Sequence, residues 1–169
     1  MNSEMKASAE LQLVLFELAS EHYAVSSQSV REIIRMQNIT RVPGALASVV
    51  GVTNLRGRVV PVIDLRKRLA LPVGGETKYT RIVVVEVGSD YVGLIVDGVS
   101  EVLRVPYSLI EPPSSVVHGP DTDYVLGIAK LETKLVVLLD VDKLLSADEK
   151  QAVSTGTRGM EQDASGVIG

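Results

Sequence analysis

Residues 51–69, GVTNLRGRVVPVIDLRKRL, occur again in similar form as residues 127–145, GIAKLETKLVVLLDVDKLL. The two segments align without a gap, and several positions that differ keep their apolar character, as at Val52/Ile128, Val59/Leu135 and Ile63/Leu139. The identical pairs are Gly51/Gly127, Leu55/Leu131, Val60/Val136, Asp64/Asp140, Lys67/Lys143 and Leu69/Leu145. A repeat of this length indicates that one structural unit has been duplicated within the chain.

Earlier segments repeat in the same order. VREIIRM, from Val30, and VSEVLRV, from Val99, share Val, Glu and Arg and agree at every apolar position. LVLFELASEHY, ending at Tyr23, resembles IVVVEVGSDY, ending at Tyr91, if one residue is skipped. Each copy therefore reads as strand, turn, strand, VxE segment, linking region, hairpin and short helix.

Most segments of each copy have the composition of β-strands, because they are rich in Val, Leu and Ile and are bounded by turn-forming residues. A unit of about 60 residues buries so little surface that it would be only marginally stable by itself, so the two units should share apolar surface. We predict an all-β fold of two five-stranded barrels side by side, internally duplicated, with few short helices.

The predicted domain organisation has four parts. Residues 1–10 form a flexible N-terminus, 11–79 the first barrel unit, 80–148 the second, and 149–169 a disordered tail that is rich in Gly, Ser and charge. The proline-rich stretch after Glu111 is expected to be a long surface loop within the second unit.

Four local features add detail to the predicted secondary structure. Pro43 followed by GALASVV predicts a short helix, and Asp64 and Asp140 are expected to be helix N-caps. VREIIRM is ambiguous between strand and helix, since Ser29 and Glu32 also fit a capping box. Pro61 places its strand at an edge or a bulge, because proline cannot donate to a sheet.

Composition narrows the range of functions. The net charge is −4 and the pI is about 5.2, which argues against nucleic-acid binding. The chain has no cysteine, so disulfides and thiolate metal sites are excluded. The first ten residues lack the apolar core of a signal peptide, and no apolar run is long enough to span a bilayer. We expect a soluble, cytoplasmic protein that does not insert into membranes.

The sequence contains no recognisable catalytic or metal-binding constellation. Neither His22 nor His118 has a neighbouring His or Cys that could share a metal ion, and no catalytic-triad ordering accompanies them. We expect both on the surface. Asp64 could serve as an acid or base, but its twin Asp140 favours the cap. We expect no enzymatic activity, no cofactor and no metal.

The tips of the two hairpins differ, although their frameworks repeat. Asn54, Arg56 and Gly57 of the first copy are replaced by Lys, Glu and Thr in the second. Asn and Gly suit a tight turn, and an exposed arginine can bind a carboxylate or a carbonyl through two hydrogen bonds. Arg56 is therefore either a recognition residue or a solvated turn arginine.

These segments resemble the CheW family of bacterial chemotaxis coupling proteins. GVTNLRG with the following proline and IDLR carries the resemblance, supported by VREI, PGALASVV, YVGLIVDGVSEVL and LVVLLDVDKLL. The resemblance implies two five-stranded SH3-like barrels and a non-enzymatic adaptor. Such adaptors bridge the helical cytoplasmic tip of chemoreceptors (methyl-accepting chemotaxis proteins) to the regulatory domain of the histidine kinase CheA.

The resemblance also implies two binding surfaces. Carried over by motif, the receptor-binding residues are Val30, Glu32, Ile33, Gly51, Asn54, Arg56 and Val102. The kinase-binding residues are Ile39, Thr40 and Arg41. Gly51 has a twin in Gly127, so a structural role stays equally open for it.

Two alternatives remain at this point. The chain could couple another chemosensory pathway, such as one that controls motility or development. Less favoured is a double barrel that binds an oligonucleotide or a small ligand.

Overall fold

The computed structural model describes residues 9–72, 74–114 and 123–145 of the chain. The strands in these ranges are β1 (Glu10–Leu18), β2 (Glu21–Ser26), β3 (Val30–Arg35), β4 (Val49–Leu55), β5 (Arg58–Asp64), β6 (Arg81–Val87), β7 (Asp90–Val96), β8 (Gly98–Pro106), β9 (Ile110–Glu111), β10 (Val125–Lys130) and β11 (Leu135–Leu139). Two single-turn helices follow hairpins, α1 (Leu65–Arg68) and α2 (Val141–Leu144). The predicted all-β class with few short helices is confirmed.

The strands form two sheets. The five-stranded sheet has the order β3-β6-β7-β5-β4, and the six-stranded sheet has the order β8-β1-β2-β11-β10-β9. The predicted number of strands is nearly correct. Each sheet has five longer strands, and the six-stranded sheet adds only the two-residue β9. Hydrogen bonding does not close either sheet into a ring. The sheets end at β3 and β4 and at β8 and β9, respectively.

The strands of the two repeats are exchanged between the sheets. The first hairpin, β1–β2, joins the six-stranded sheet through a parallel pairing of β2 with β11. The second-repeat hairpin, β6–β7, joins the five-stranded sheet through a parallel pairing of β7 with β5. Residues 11–79 and 80–148 thus mark the two repeats in the sequence, and as domain limits they stay a prediction.

Several predictions lie at the limits of the described residues. β1 begins at Glu10, inside the range predicted as a flexible N-terminus. The predicted disordered tail, His118 and most of the proline-rich loop lie outside the described residues.

One apolar core joins the two sheets, which confirms that the units share apolar surface. Phe16 and Val25 come from the six-stranded sheet, and Val83 and Leu94 come from the five-stranded sheet; all four are buried in one cluster. A second cluster lies within the six-stranded sheet alone, around Leu15 and other residues of β1, β2, β8, β10 and β11. Because successive residues of a strand face opposite sides, β1 contributes to both cores.

The predicted helix after Pro43 is wrong. The segment forms turns instead, with hydrogen bonds from Ala45 N to Val42 O at 3.3 Å and from Val49 N to Leu46 O at 2.9 Å. Gly44 has φ = +77°, which a right-handed helix does not accommodate. By contrast, the ambiguous VREIIRM segment contains strand β3.

The prediction for Pro61 is also wrong, because β5 lies inside the five-stranded sheet between β4 and β7. Pro61 is paired with Val52 of β4. The pairing of β5 with β7 covers only residues 62–64, immediately after the proline. The missing N–H of Pro61 therefore lies just outside the pairing of β5 with β7.

Candidate functional site

The β4–β5 hairpin ends in a two-residue turn that displays Arg56. Leu55 of β4 pairs with Arg58 of β5, and between them Arg56 and Gly57 have φ values of +51° and +86°. Two successive positive φ values are typical of a type I′ turn. Asn54 stabilises it, because its Oδ1 accepts a hydrogen bond from Gly57 N at 2.7 Å. The predicted tight turn is confirmed.

A small hydrogen-bonded network supports this turn from the linking region. Gln37 Nε2 donates to Thr53 Oγ1 and to Asn54 O, both at 2.7 Å. Thr53 is buried, and its hydroxyl donates to Asn38 O at 2.8 Å. These bonds fix the end of β4 and therefore the position from which Arg56 projects.

Arg56 and Glu32 form a bidentate ion pair. Arg56 Nη1 donates to Glu32 Oε1 at 2.9 Å, and Nη2 contacts Oε2. The Arg56 side chain is 73% exposed, whereas that of Glu32 is 22% exposed. Since Glu32 lies on β3 and Arg56 follows β4, the pair bridges the two edge strands of the five-stranded sheet.

The pair alters the titration of both groups. The hydrogen bond from Arg56 lowers the pKa of Glu32 below its ordinary value, and the charge of Arg56 acts in the same direction. The same hydrogen bond raises the pKa of Arg56. Both groups are therefore charged at neutral pH, and the guanidinium is held in one orientation.

A groove lies beside Ile33, where the two sheets meet. It has a volume of about 320 Å³. Its lining residues are Ile33, Tyr79 and Arg81 from the side of the five-stranded sheet and Glu17, Gly98, Val99 and Ser100 from the six-stranded sheet. Ile33 is 39% exposed, so the groove presents an apolar side chain to solvent.

The predicted receptor-binding residues occupy different positions relative to this groove. Val30 is half-buried against the shared core. Val102 is 51% exposed on β8, the strand that begins in the groove wall. Val102 pairs with Val14 and Ile33 pairs with Val83, and both partners belong to the shared core. Ile33 and Val102 thus lie at the edges of opposite sheets, on the faces where the sheets meet.

Gly51 has a packing role. A Cβ at Gly51 would lie 2.1 Å from Thr40 O and 3.0 Å from Ile39 Cγ2. At its twin Gly127, a Cβ would lie 2.6 Å from Glu111 O. Both glycines also sit at a register shift in their hairpins. The close approach of a neighbouring backbone explains glycine in both copies.

The predicted kinase-binding residues lie along the β4 edge of the five-stranded sheet. Thr40 N donates to Val52 O and Val52 N donates to Thr40 O, both at 2.8 Å. Thr40 and Arg41 are exposed, and Ile39 is half-buried next to Gly51. The short strand β9 has the same relation to β10 in the second repeat, so this segment also belongs to the duplication.

Two groove residues were missed by reasoning from the sequence. Tyr79 is 62% exposed, although aromatic residues make up only 4% of the chain. Arg81 is held by hydrogen bonds to Lys78 O at 2.9 Å and Thr80 O at 2.8 Å. A tyrosine in the polar stretch before β6 was the available signal, because exposed Tyr and Arg are frequent at interfaces.

The residues considered for catalysis have structural or unremarkable positions. Asp64 caps α1, since its Oδ1 accepts from Arg66 N at 3.0 Å. Asp140 caps α2 by accepting from Asp142 N at 3.0 Å and Lys143 N at 3.4 Å. The cap predictions are confirmed. His22 lies half-buried on β2, so it is only partly at the surface.

The described part of the chain offers neither a metal site nor a membrane-spanning helix. No group of three His, Cys, Asp or Glu residues there could hold a metal ion. No helix in the same ranges has the length and apolarity needed to cross a membrane.

The exchanged double sheet with its hairpin site corresponds to a known family. Residues 12–149 match the family model of the CheW-like domain. The chain belongs to the CheW family. Among solved structures, CheW of Thermoanaerobacter tengcongensis, described as a scaffolding protein, matches with a TM-score of 0.77 and 36% identity, covering 83% of this chain and 96% of that one.

Curated members of the CheW family extend the comparison. The chain is 38% identical over 153 residues to chemotaxis protein CheW of Bacillus subtilis, covering 90% of this chain and 96% of that protein. It is 34% identical over 142 residues to chemotaxis protein CheW of Klebsiella aerogenes, with coverages of 84% and 86%. Protein FrzA of Myxococcus xanthus is 29% identical over 153 residues, with coverages of 88% and 94%.

Proposed function

We propose that this protein is a non-enzymatic, cytoplasmic adaptor that couples chemoreceptor tips to the histidine kinase CheA in membrane-associated signalling arrays. Membership of the CheW family supports an adaptor role in chemotaxis. The observation that carries the receptor-binding part is the bidentate Glu32–Arg56 pair, whose glutamate directly precedes the exposed Ile33 on β3. The proposal needs no cofactor, metal or nucleic acid.

The geometry suits a helical partner. Ile33 and Val102 offer apolar anchors on opposite sheets, and a helix presents apolar side chains along one face for such anchors. Arg56 has five N–H donors, of which two point at Glu32. Three donors are left for a carboxylate or a carbonyl of the receptor. Asn54 and Gly51 contribute indirectly, through the turn and through packing.

The kinase would bind a different surface. Ile39, Thr40 and Arg41 run along β4, an edge of the five-stranded sheet, and Thr40 and Arg41 are exposed. A kinase regulatory domain built like this protein could pack against that edge without covering Arg56. This arrangement would let one adaptor hold both partners at once.

The test is an amide NMR titration with a receptor-tip helical hairpin. Receptor binding predicts chemical-shift changes around residues 30–33 and 54–56 and at Val102, and their loss in Arg56→Ala. Lys134→Ala serves as a matched control, because Lys134 also pairs with a glutamate but lies in the turn of the β10–β11 hairpin. Absence of shifts at saturating hairpin, with the fold intact, would refute receptor coupling at this site.

A second candidate is coupling in another chemosensory pathway. The similarity to FrzA, a relative that is not named as a chemotaxis protein, supports this second candidate. The two candidates differ in the receptor that binds. Titration with tips from receptors of different chemosensory clusters of the source organism would separate them, since only the cognate tip should saturate the site.

A further inference from the structure

Asp97 lies where the chain passes from one sheet to the other. β7 of the five-stranded sheet ends at Val96, and β8 of the six-stranded sheet begins at Gly98. Asp97 is therefore a one-residue connection between the sheets. A movement of one sheet against the other would change the backbone here and in the β2–β3 connection, where the chain also passes between the sheets.

Asp97 is bonded on one side to the six-stranded sheet. Its Oδ2 accepts a hydrogen bond from Ala19 N at 2.7 Å, in the turn between β1 and β2. Its own N–H donates to Glu17 O at 2.9 Å. Ala19 and Ser20 have φ values of +49° and +69°, so this turn uses positive φ without glycine. The carboxylate satisfies a donor in a turn that is costly to form.

Asp97 is also bonded to α1, the helix that directly follows β5 of the five-stranded sheet. Arg66 of α1 donates from Nε to Oδ1 at 2.8 Å and from Nη2 to Oδ2 at 2.5 Å. Arg66 Nη1 also donates to Pro72 O at 3.2 Å. The hydrogen bond to Asp97 raises the pKa of Arg66. One carboxylate thus joins α1, the β7–β8 connection and the β1–β2 turn.

This ion pair is more protected from solvent than the displayed pair at the hairpin. The side chains of Arg66 and Asp97 are 19% and 27% exposed, whereas that of Arg56 is 73% exposed. A two-point contact of this kind fixes orientation as well as distance. Limited exposure reduces screening by solvent and salt.

The walls of the groove begin at this junction. Glu17 pairs with Gly98 next to Asp97, and Val99 and Ser100 follow on the same wall. Ile33 lies on the opposite wall, in the other sheet. Asp97 therefore adjoins the end of the groove wall that begins at Gly98.

We propose that Asp97 and Arg66 are positioning residues, which form a latch between the two sheets and set the width of the groove. They contact no partner themselves. Loosening the latch should make the groove walls vary in separation and should weaken the binding of a helix that must contact both walls. The second consequence rests on the receptor-binding function proposed above, whereas the first does not.

The first consequence can be measured on the free protein. The chain has no cysteine, so Arg35→Cys and Arg104→Cys, at equivalent exposed positions of β3 and β8, give two clean spin-labelling sites. We expect one narrow distance distribution, which should become at least about twice as broad with Asp97→Asn or Arg66→Ala. Arg31→Ala, which removes an ion pair within the five-stranded sheet, should leave it narrow.

Distributions that stay narrow in folded Asp97→Asn and Arg66→Ala proteins would overturn the latch. If either variant fails to fold, Arg66→Lys, which keeps the charge but loses the two-point contact, replaces it and should show intermediate broadening. An unchanged distribution in folded Arg66→Lys would then overturn the proposal.

The second consequence is measured as affinity for the receptor-tip hairpin. Asp97→Asn should weaken binding by about tenfold, and Arg66→Lys by less. Broadened distances with unchanged affinity would overturn the positioning role and leave only a structural latch. If the unmodified protein does not bind the hairpin at all, the proposed function fails, but the distance measurement still decides the latch.

Discussion

Glu101 and Lys134 are paired at 3.1 Å across the open side of the six-stranded sheet, as Glu32 and Arg56 are in the five-stranded sheet. Glu101 is the repeat counterpart of Glu32, and both lie on a strand that ends its sheet. In each repeat, a cation from the hairpin turn reaches that edge glutamate. The duplicated unit therefore uses an ion pair where backbone hydrogen bonding leaves the sheet open.

The two pairs differ in which partner faces solvent. Lys134 is 24% exposed and its glutamate 44%, whereas Arg56 is 73% exposed and its glutamate 22%. The cation is therefore the more buried partner of the Glu101–Lys134 pair and the more exposed partner of the Glu32–Arg56 pair. This difference separates a closing contact from one that can also bind a partner.

The first prediction is that Arg56→Ala weakens receptor binding by about tenfold or more, the scale expected for an arginine at the centre of an interface. The fold should stay intact, because the side chain is exposed at a turn. Isothermal titration with the receptor-tip hairpin, together with thermal melting, checks both statements. Lys134→Ala should leave the affinity within about threefold. Loss of cooperative melting in Arg56→Ala would make this arginine structural.

The second prediction concerns Gly51. Gly51→Ala should destabilise the protein by about 3 kcal/mol, since a new Cβ would collide with the backbone of Thr40. Gly57→Ala should cost only about 1 kcal/mol, because its positive φ strains an alanine but nothing lies within 4 Å. Urea unfolding provides both values. Equal costs at the two sites would contradict the packing role.

Much of the fold could be predicted from the internal repeat. The repeat identified the equivalent strands, the hairpins and the capping aspartates, and the structure confirms these elements. It did not indicate the exchange of β1–β2 and β6–β7 between the sheets. Self-alignment shows which segments are alike, but strand pairing depends on long-range contacts that each segment's pattern leaves open.

The candidate site was predictable in part. Asn54 and Gly57 indicated the turn, and Arg56 was recognised as a possible binding residue, because these residue types carry the chemistry. Tyr79 was missed because nothing in its local sequence places it beside Ile33. The short helix after Pro43 was predicted wrongly, since helix propensity over a few residues gives way to one glycine with positive φ.

The third prediction tests the cap on α1. Asp64→Ala should lower the free energy of unfolding by about 1 kcal/mol, the usual effect of removing an N-cap. Asp64→Asn should change it by a few tenths of a kcal/mol, because asparagine caps about as well. Affinity for the receptor hairpin, measured on the folded protein, should be the same in both variants. An unchanged melting temperature in Asp64→Ala would count against the cap.

The fourth prediction is a pH dependence that originates at Glu32. The folded-state pKa of Glu32 lies below its unfolded value near 4.5, because the Arg56 hydrogen bond favours the carboxylate. Its stabilising contribution is therefore fully present above the unfolded pKa and is lost as the pH falls through the folded pKa. Stability compared between the unmodified protein and Glu32→Gln should differ at neutral pH and converge in acid.

The carboxyl titration of Glu32, followed by carbon-detected NMR, checks the origin of this effect. In the unmodified protein the midpoint should lie below 4.5, and in Arg56→Ala it should move up toward the ordinary glutamate value. Arg31→Ala removes a neighbouring exposed cation that pairs with Glu86, so it is a suitable control. A midpoint that does not move in Arg56→Ala would show that the pair does not persist in solution. The guanidinium of Arg56 would then not be pre-oriented for a partner.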